Sequence, residues 1–346
     1  MVSPFSQFIR ALDDVLEGVE NFAYEHIIEN NFLKVIFSRL FEVFNNSLRA
    51  ADFSKKSIEV RQDSENAVTH LMHRTVGRGI TNSGNSCYMA AALQGLLRVP
   101  QMAQKIWEAN AGDENSESAS NFLKQSMSPL FGINEPGRSL NVSETEAIRT
   151  FFRKQGWMPE MAHNLLQDPA DFLRFLLPLL ELPEFAASTR DNRGGNNKGH
   201  LLSIPARNLQ QPISLQDFVA PKDMASADGK RKGYKLFPEV IPDILPIVIA
   251  GRTMVGNSKN RTDIFPSQQL EVPLQGDTKK CIKYDLIAVL VHMGENPTGG
   301  HYLTYVPQDD GWVEYNDQYV AIRRNDQTVD QRIQEDSYIY FYSRSQ

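Results

Sequence analysis

The chain has 346 residues with a formal net charge of −6, and 41% of them are hydrophobic and 23% charged. This is ordinary globular composition, long enough for one large domain or two smaller ones, with no general case for nucleic acid or an anionic membrane as partner. Two cysteines argue against a disulfide framework and fit a reducing compartment, and no apolar run approaches the roughly 20 residues that span a bilayer.

Residues 1 to about 50 read as two amphipathic helices. Phe5, Phe8, Ile9, Leu12, Val15, Leu16, Val19 and Phe22 follow helical spacing, as do Phe32, Val35, Ile36, Leu40, Val43 and Phe44. Glu29, Asn30 and Asn31 mark the turn of an αα-hairpin, which packs on the rest of the chain or serves a protein partner. No basic region followed by an apolar core opens this stretch, so a secretory leader is not expected. Residues 51–75 are polar and charged and read as a linker or an irregular helix.

The next stretch runs from Gly79 to Gln94. Gly79, Asn82, Gly84, Asn85 and Ser86 are turn and cap residues. From Cys87 onward, Tyr88, Met89, three alanines, Leu93, Leu96 and Leu97 favour a buried helix that stops before Pro100. Cys87 therefore falls at a helix N-terminus, where the macrodipole and free N–H groups favour negative charge. A thiolate is the attacking species in cysteine catalysis. Asn82, five residues earlier, is placed to offer an amide N–H to an oxyanion.

After a polar loop over 112–120, a second helix is expected over Glu144–Lys154 with Ser143 as its cap. A third follows Asp168, a good N-cap, with Pro169 at the first helical position. Residues 188–199 and the basic 225–233 read as loops, Leu201–Ile204 as a strand and Ser214–Val219 as a short helix. Leu245–Arg252 reads as another strand. The last 65 or so residues are strand-rich: Leu286–Val291 suits a central buried strand, and His301–Val306, Trp312–Tyr315 and Tyr338–Tyr342 are aromatic and β-branched.

Five of these stretches together resemble the ubiquitin-specific proteases. Gly79–Gln94 is similar to that family's cysteine box, with Ile80 for Leu, Ser86 for Thr and Ala90-Ala91 for Asn-Ser. Leu166–Leu177 resembles its Gln-Gln-Asp-Ala-x-Glu-Phe segment, with Asp171 for Glu. Gly299-Gly300-His301-Tyr302 resembles the histidine box, and Trp312–Val320 and Tyr338–Tyr342 resemble the strands that follow it.

The resemblance implies an α+β, papain-like fold with a helical thumb over 76–183 and an antiparallel β palm with short fingers over 184–346. Residues 1–75 would be an extension. It implies a thiol-dependent deubiquitinase acting after the C-terminal glycine of ubiquitin. The alternatives are an isopeptidase for another Gly-Gly-tailed modifier or a ubiquitin-binding scaffold. Cys87 would be the nucleophile, His301 the base, and Asn316 or Asp317 the residue that orients it. Neighbouring side chains on a strand point to opposite faces, so only one of that pair is expected to face His301 unless a bulge intervenes. His292 also ends an apolar strand, and the family has a non-catalytic histidine there.

Asp168 and Asp171 would bind the arginines of the ubiquitin tail. Gly299, Gly300 and Tyr302 would line its approach. Many family members carry two Cys-x-x-Cys pairs for zinc; this chain holds only Cys87 and Cys281, so a Cys₄ zinc site is excluded within it and no cofactor is expected. Ubiquitin or ubiquitinated proteins are the implied partners, in a cytoplasmic compartment.

Overall fold

A computed structural model describes residues 62, 78–108, 118–132, 137–157, 166–189, 197–206, 209–220, 233–251, 259–295 and 299–345. These belong to one unit, Val60–Gln346. The two N-terminal helices and the linker expected over 1–75 lie outside the described residues, apart from Gln62, as do the loops over 112–117 and 225–232.

The helical part comes first. Helix α1 spans Cys87–Leu96, and every one of its ten residues is buried. Helix α2 (Pro100–Glu108) and helix α3 (Ala119–Phe131) follow. Ser118 caps α3, and Gly132 ends it in the left-handed conformation at φ 64°, where glycine carries no Cβ penalty. Helix α4 spans Val142–Lys154. Its cap is Asn141 and not Ser143: Asn141 accepts from the Glu144 N–H while Glu144 reaches back to the Asn141 N–H. Ser143 instead donates to Asn141 Oδ1 at 2.7 Å. Helix α5 (Pro169–Leu179) starts as its sequence demands, with Asp168 capping and Pro169 at the first position.

Strands β1 (Phe185–Thr189) and β2 (Asn197–Gly199) pair with each other, so the ends of the expected 188–199 loop are strand. Then come β3 (Leu202–Pro205), β4 (Ile213–Ser214), helix α6 (Leu215–Val219) and β5 (Tyr234–Leu236). Strand β6 is Ile244–Ala250, β7 Ile264–Phe265, β8 Gln269–Leu274 and β9 Asp277–Met293. Strands β10 (His301–Gln308), β11 (Gly311–Asn316) and β12 (Tyr319–Arg324), helix α7 (Gln327–Asp336) and β13 (Ser337–Arg344) complete the order.

Eleven of the strands form one sheet in the order β12-β11-β10-β9-β8-β5-β1-β2, with β13 bridging β9 and β6 and β3 beyond β6. Most pairs are antiparallel; β3 with β6 and β5 with β8 are parallel. The 17-residue β9 pairs with β8, β10 and β13, which accounts for its unbroken apolar run.

The sheet separates two hydrophobic cores. Period-two alternation sends Ile339, Phe341 and Leu290 to the core shared with α1–α5. It sends Tyr340, Tyr342, Val289 and Val291 to the core shared with α6 and α7. Helix α1 lies against β10 and α5. One buried bond locks its register: the Thr304 hydroxyl donates to the Ala91 carbonyl at 2.7 Å. Gly95 lets the helix sit this close, because a Cβ there would lie 2.5 Å from the Phe341 ring.

Candidate active site

Cys87 opens α1 and is 2% exposed. His301 opens β10, and Asn316 closes β11, the neighbouring strand. His301 Nε2 lies 2.7 Å from Asn316 Oδ1. That contact leaves Nδ1 for Cys87, and a hydrogen bond to Cys87 is the strongest influence on the ring. It outweighs burial, and with Asn316 and the nearby Asp317 carboxylate it holds His301 up at about 9.

Asp317 also reaches the site. It sits beyond the strand in the turn to β12, at φ 52°, and Oδ2 lies 3.8 Å from His301 Nε2. So both candidates approach the ring. A left-handed turn residue brings the second one in, where the sequence suggested a bulge. Asp317 also ties the cysteine loop to the sheet. Its carbonyl accepts from Ile80 N–H at 3.0 Å, and its Oδ2 accepts from Asn82 Nδ2 at 3.1 Å. Gly79 is required at this crossing, since a Cβ would come 2.2 Å from the Asp317 carbonyl oxygen. Burial raises the Asp317 carboxyl, against the lowering pull of His301 and Asn82.

Asn82 is fixed by more than Asp317. Its Oδ1 accepts from Gly84 N–H at 2.9 Å, Ser86 N–H at 3.2 Å and Ser86 Oγ at 3.1 Å. Three donors on that oxygen settle which end of the amide faces Asp317. One N–H of Nδ2 goes to the carboxylate.

These residues sit in one family's order. The ubiquitin carboxyl-terminal hydrolase profile matches residues 78–342. The chain belongs to the ubiquitin carboxyl-terminal hydrolase family.

Relatives include ubiquitin carboxyl-terminal hydrolase 7 of Drosophila melanogaster, 26% identical over 294 residues that cover 73% of this chain and 25% of that protein. Ubiquitin carboxyl-terminal hydrolase 10-A of Xenopus laevis is 40% identical over 97 residues, 26% of this chain and 12% of that one. The Ubp8/Sgf11/Sus1/Sgf73 SAGA DUB module bound to monoubiquitin matches at a TM-score of 0.53 and 17% identity. That match covers 78% of this chain and 69% of that one, and shows the fold. The chain spans no more than a quarter of the length of the first curated relatives it matches.

Within this hydrolase fold the remaining expected residues divide. Asp168 is committed to structure: Oδ1 accepts from Ala170 N–H and Oδ2 from the Tyr338 hydroxyl, both at 2.7 Å. Burial raises its carboxyl despite those bonds. Asp171, two-thirds exposed on the same helix, pairs with Arg174 at 2.6 Å and remains open to solvent. Gly300 is demanded by the chain itself: at φ 130° a Cβ would lie 2.3 Å from the Met293 carbonyl oxygen. Around Gly299 there is open space, and its carbonyl accepts from His292 Nε2 at 3.2 Å. Tyr302 is 4% exposed and lies tilted between His292 and Tyr338, with ring centroids 4.7 and 6.4 Å away.

His292 is 1% exposed, and its Nδ1 has no partner. Burial, then the nearby Lys259 ammonium, lowers it to about 4, which keeps it neutral. Lys259 donates to the His292 carbonyl and pairs with Asp336 at 2.7 Å, a contact no sequence pattern announced. Cys281 is exposed, and burial of its thiol and the carboxylates of Glu271 and Asp277 push it up. Among the described residues no cluster of His, Cys, Asp and Glu could hold a metal ion, and no helix is long and apolar enough to cross a membrane.

Proposed function

We propose that this chain hydrolyses the peptide or isopeptide bond after the C-terminal glycine of ubiquitin through a thioester on Cys87. The observation that supports it is His301 held between Cys87 and Asn316 in a chain of this family. His301 takes the Cys87 thiol proton, and the Cys87 sulfur attacks the glycine carbonyl. The Cys87 N–H at the start of α1 and the second Asn82 N–H receive the oxyanion. His301, oriented by Asn316, gives its proton to the leaving amine. Water then attacks the thioester, loses a proton to His301, and releases the glycine carboxylate and the Cys87 sulfur.

We read 76–346 as the catalytic domain, with 76–183 as thumb and 184–346 as palm. We read the short β1, β2 and β5 as the reduced fingers. Asp171, Gly299 and Tyr302 border the approach of the tail, with Asp168 and Gly300 behind them. Ubiquitin or ubiquitinated proteins are the proposed partners and the cytoplasm the proposed compartment, with residues 1–75 open to a protein partner. Only two cysteines and the short segment between Pro183 and Leu245 favour a second reading, in which another Gly-Gly-tailed modifier is the substrate.

Turnover of a panel of modifier–fluorophore amides separates the readings. Release from ubiquitin alone supports the proposal, and release only from another modifier supports the second reading. No release from any of them overturns both.

A further inference from the structure

The Asn82 amide serves an oxyanion only if its nitrogen, not its oxygen, faces the reacting carbonyl. One of the donors that hold it is the Gly84 N–H, at 2.9 Å from Oδ1. That N–H is one end of the Ser83–Gly84 peptide. The other end, the Ser83 carbonyl, accepts from Arg149 Nη1 at 3.4 Å. The same nitrogen lies 3.1 Å from the Gly84 carbonyl and 3.4 Å from Ser83 Oγ, so one of its two hydrogens is shared across this turn while the other goes to Glu146. In a trans peptide the C=O and N–H point opposite ways, so holding the carbonyl on the Arg149 side keeps the N–H on Asn82.

Arg149 is itself well placed to hold. It projects from α4, its side chain is 10% exposed, and Glu146 Oε1 fixes it at 2.7 Å. Gly84 has φ 91° and Asn85 has φ 51°, left-handed conformations that glycine and asparagine both adopt, so local residue type forms the turn and Arg149 fixes which way its peptides face.

We propose that Arg149 is a positioning residue for the oxyanion-binding loop, gripping the Ser83 and Gly84 carbonyls so that the Asn82 amide keeps its nitrogen toward the substrate. This rests on the acyl-transfer reaction proposed above and on Asn82 as an oxyanion donor. Losing the grip misdirects a donor that acts in the transition state, and leaves the Cys87–His301 pair and the tail-binding surface in place.

The test uses Arg149→Met and Arg149→Lys in the full chain, with kcat and KM on a ubiquitin–fluorophore amide. Alongside, Cys87 is alkylated with iodoacetamide, a displacement at carbon that forms no oxyanion. Arg149→Met is expected to lose kcat by about 10- to 100-fold, with KM and the alkylation rate within about twofold of wild type. Arg149→Lys should recover part of the loss.

In an Asn82→Ala background, adding Arg149→Met should cost little more, because both act on one donor. A kcat within about twofold of wild type overturns the inference. So do losses that multiply in the double variant, and alkylation that falls in step with turnover. Should Arg149→Met not fold, Glu146→Ala, which removes the acceptor that fixes Arg149 Nη1, is judged by the same criteria. Wild-type protein that turns over no ubiquitin substrate sinks the proposed function instead, a different result from an active wild type with an unaffected variant.

Discussion

His301 and Asn316 meet across adjacent strands with Nε2 and Oδ1 2.7 Å apart, while Asp317 Oδ2 stands 3.8 Å from the same nitrogen. Distance thus assigns orientation of the ring to Asn316. Asp317, bonded to Ile80 and Asn82, mainly holds the cysteine loop against the sheet. Asn316→Ala should lower kcat roughly 10²-fold, and Asn316→Asp should stay active because the side chains are nearly isosteric. Asp317→Ala should lower kcat less and also reduce stability. Kinetics and denaturant unfolding on the three variants check this; a dead Asp317→Ala beside a near-normal Asn316→Ala would reverse the roles.

The pH profile follows from the same ring. His301 is raised from 6.5 to about 9, so its interactions stabilise the fold fully below pH 6.5 and are lost as pH rises through about 9. The imidazolium is also the proton donor to the leaving amine, so kcat/KM should fall on an alkaline limb near 9. Removing Asn316 takes away one raising influence, and Asn316→Ala should move that limb to lower pH. An alkaline limb that stays put in Asn316→Ala contradicts the assignment.

His292 titrates in the opposite sense. Lowered from 6.5 to about 4, it stays neutral in the fold, so stability is retained above 6.5 and lost as pH falls toward 4. The loss is at most about 3 kcal/mol. His292→Gln should flatten that acid slope in urea unfolding and leave activity within about threefold of wild type. Abolished turnover in a folded His292→Gln would make it a candidate base after all.

The two acidic residues of α5 should separate by experiment. Asp168→Ala removes a helix cap and the partner of Tyr338, and should cost about 1–2 kcal/mol in unfolding. Asp171→Ala leaves stability unchanged and raises KM for ubiquitin substrates, by an amount that shrinks with added salt. Equal unfolding midpoints for wild type and Asp168→Ala would undo the structural reading.

How far the sequence reaches depends on the range of the interaction. The α5 start was legible because Asp168 and Pro169 act on the next turn, and β9 because an apolar run suits a strand covered on both faces. The α4 cap was misplaced by two residues, since Ser143 and Asn141 are both good caps and only the Glu144 return bond selects Asn141. Arg149 and Lys259 were not legible: the carbonyls that Arg149 reaches lie 65 and 66 residues away, and the partners of Lys259 lie 33 and 77 residues away. Asp317 was seen as a candidate, but its way in depended on a turn conformation that residue type alone does not specify.

The proposed attack of Cys87 on the C-terminal carbonyl of ubiquitin can be trapped. Wild-type protein is incubated with ubiquitin carrying a C-terminal electrophile, followed by intact-mass and peptide analysis. One adduct is expected, mapping to Cys87, absent in Cys87→Ala and slowed in His301→Ala. No adduct on the folded wild-type protein, or one that maps to Cys281, would contradict it.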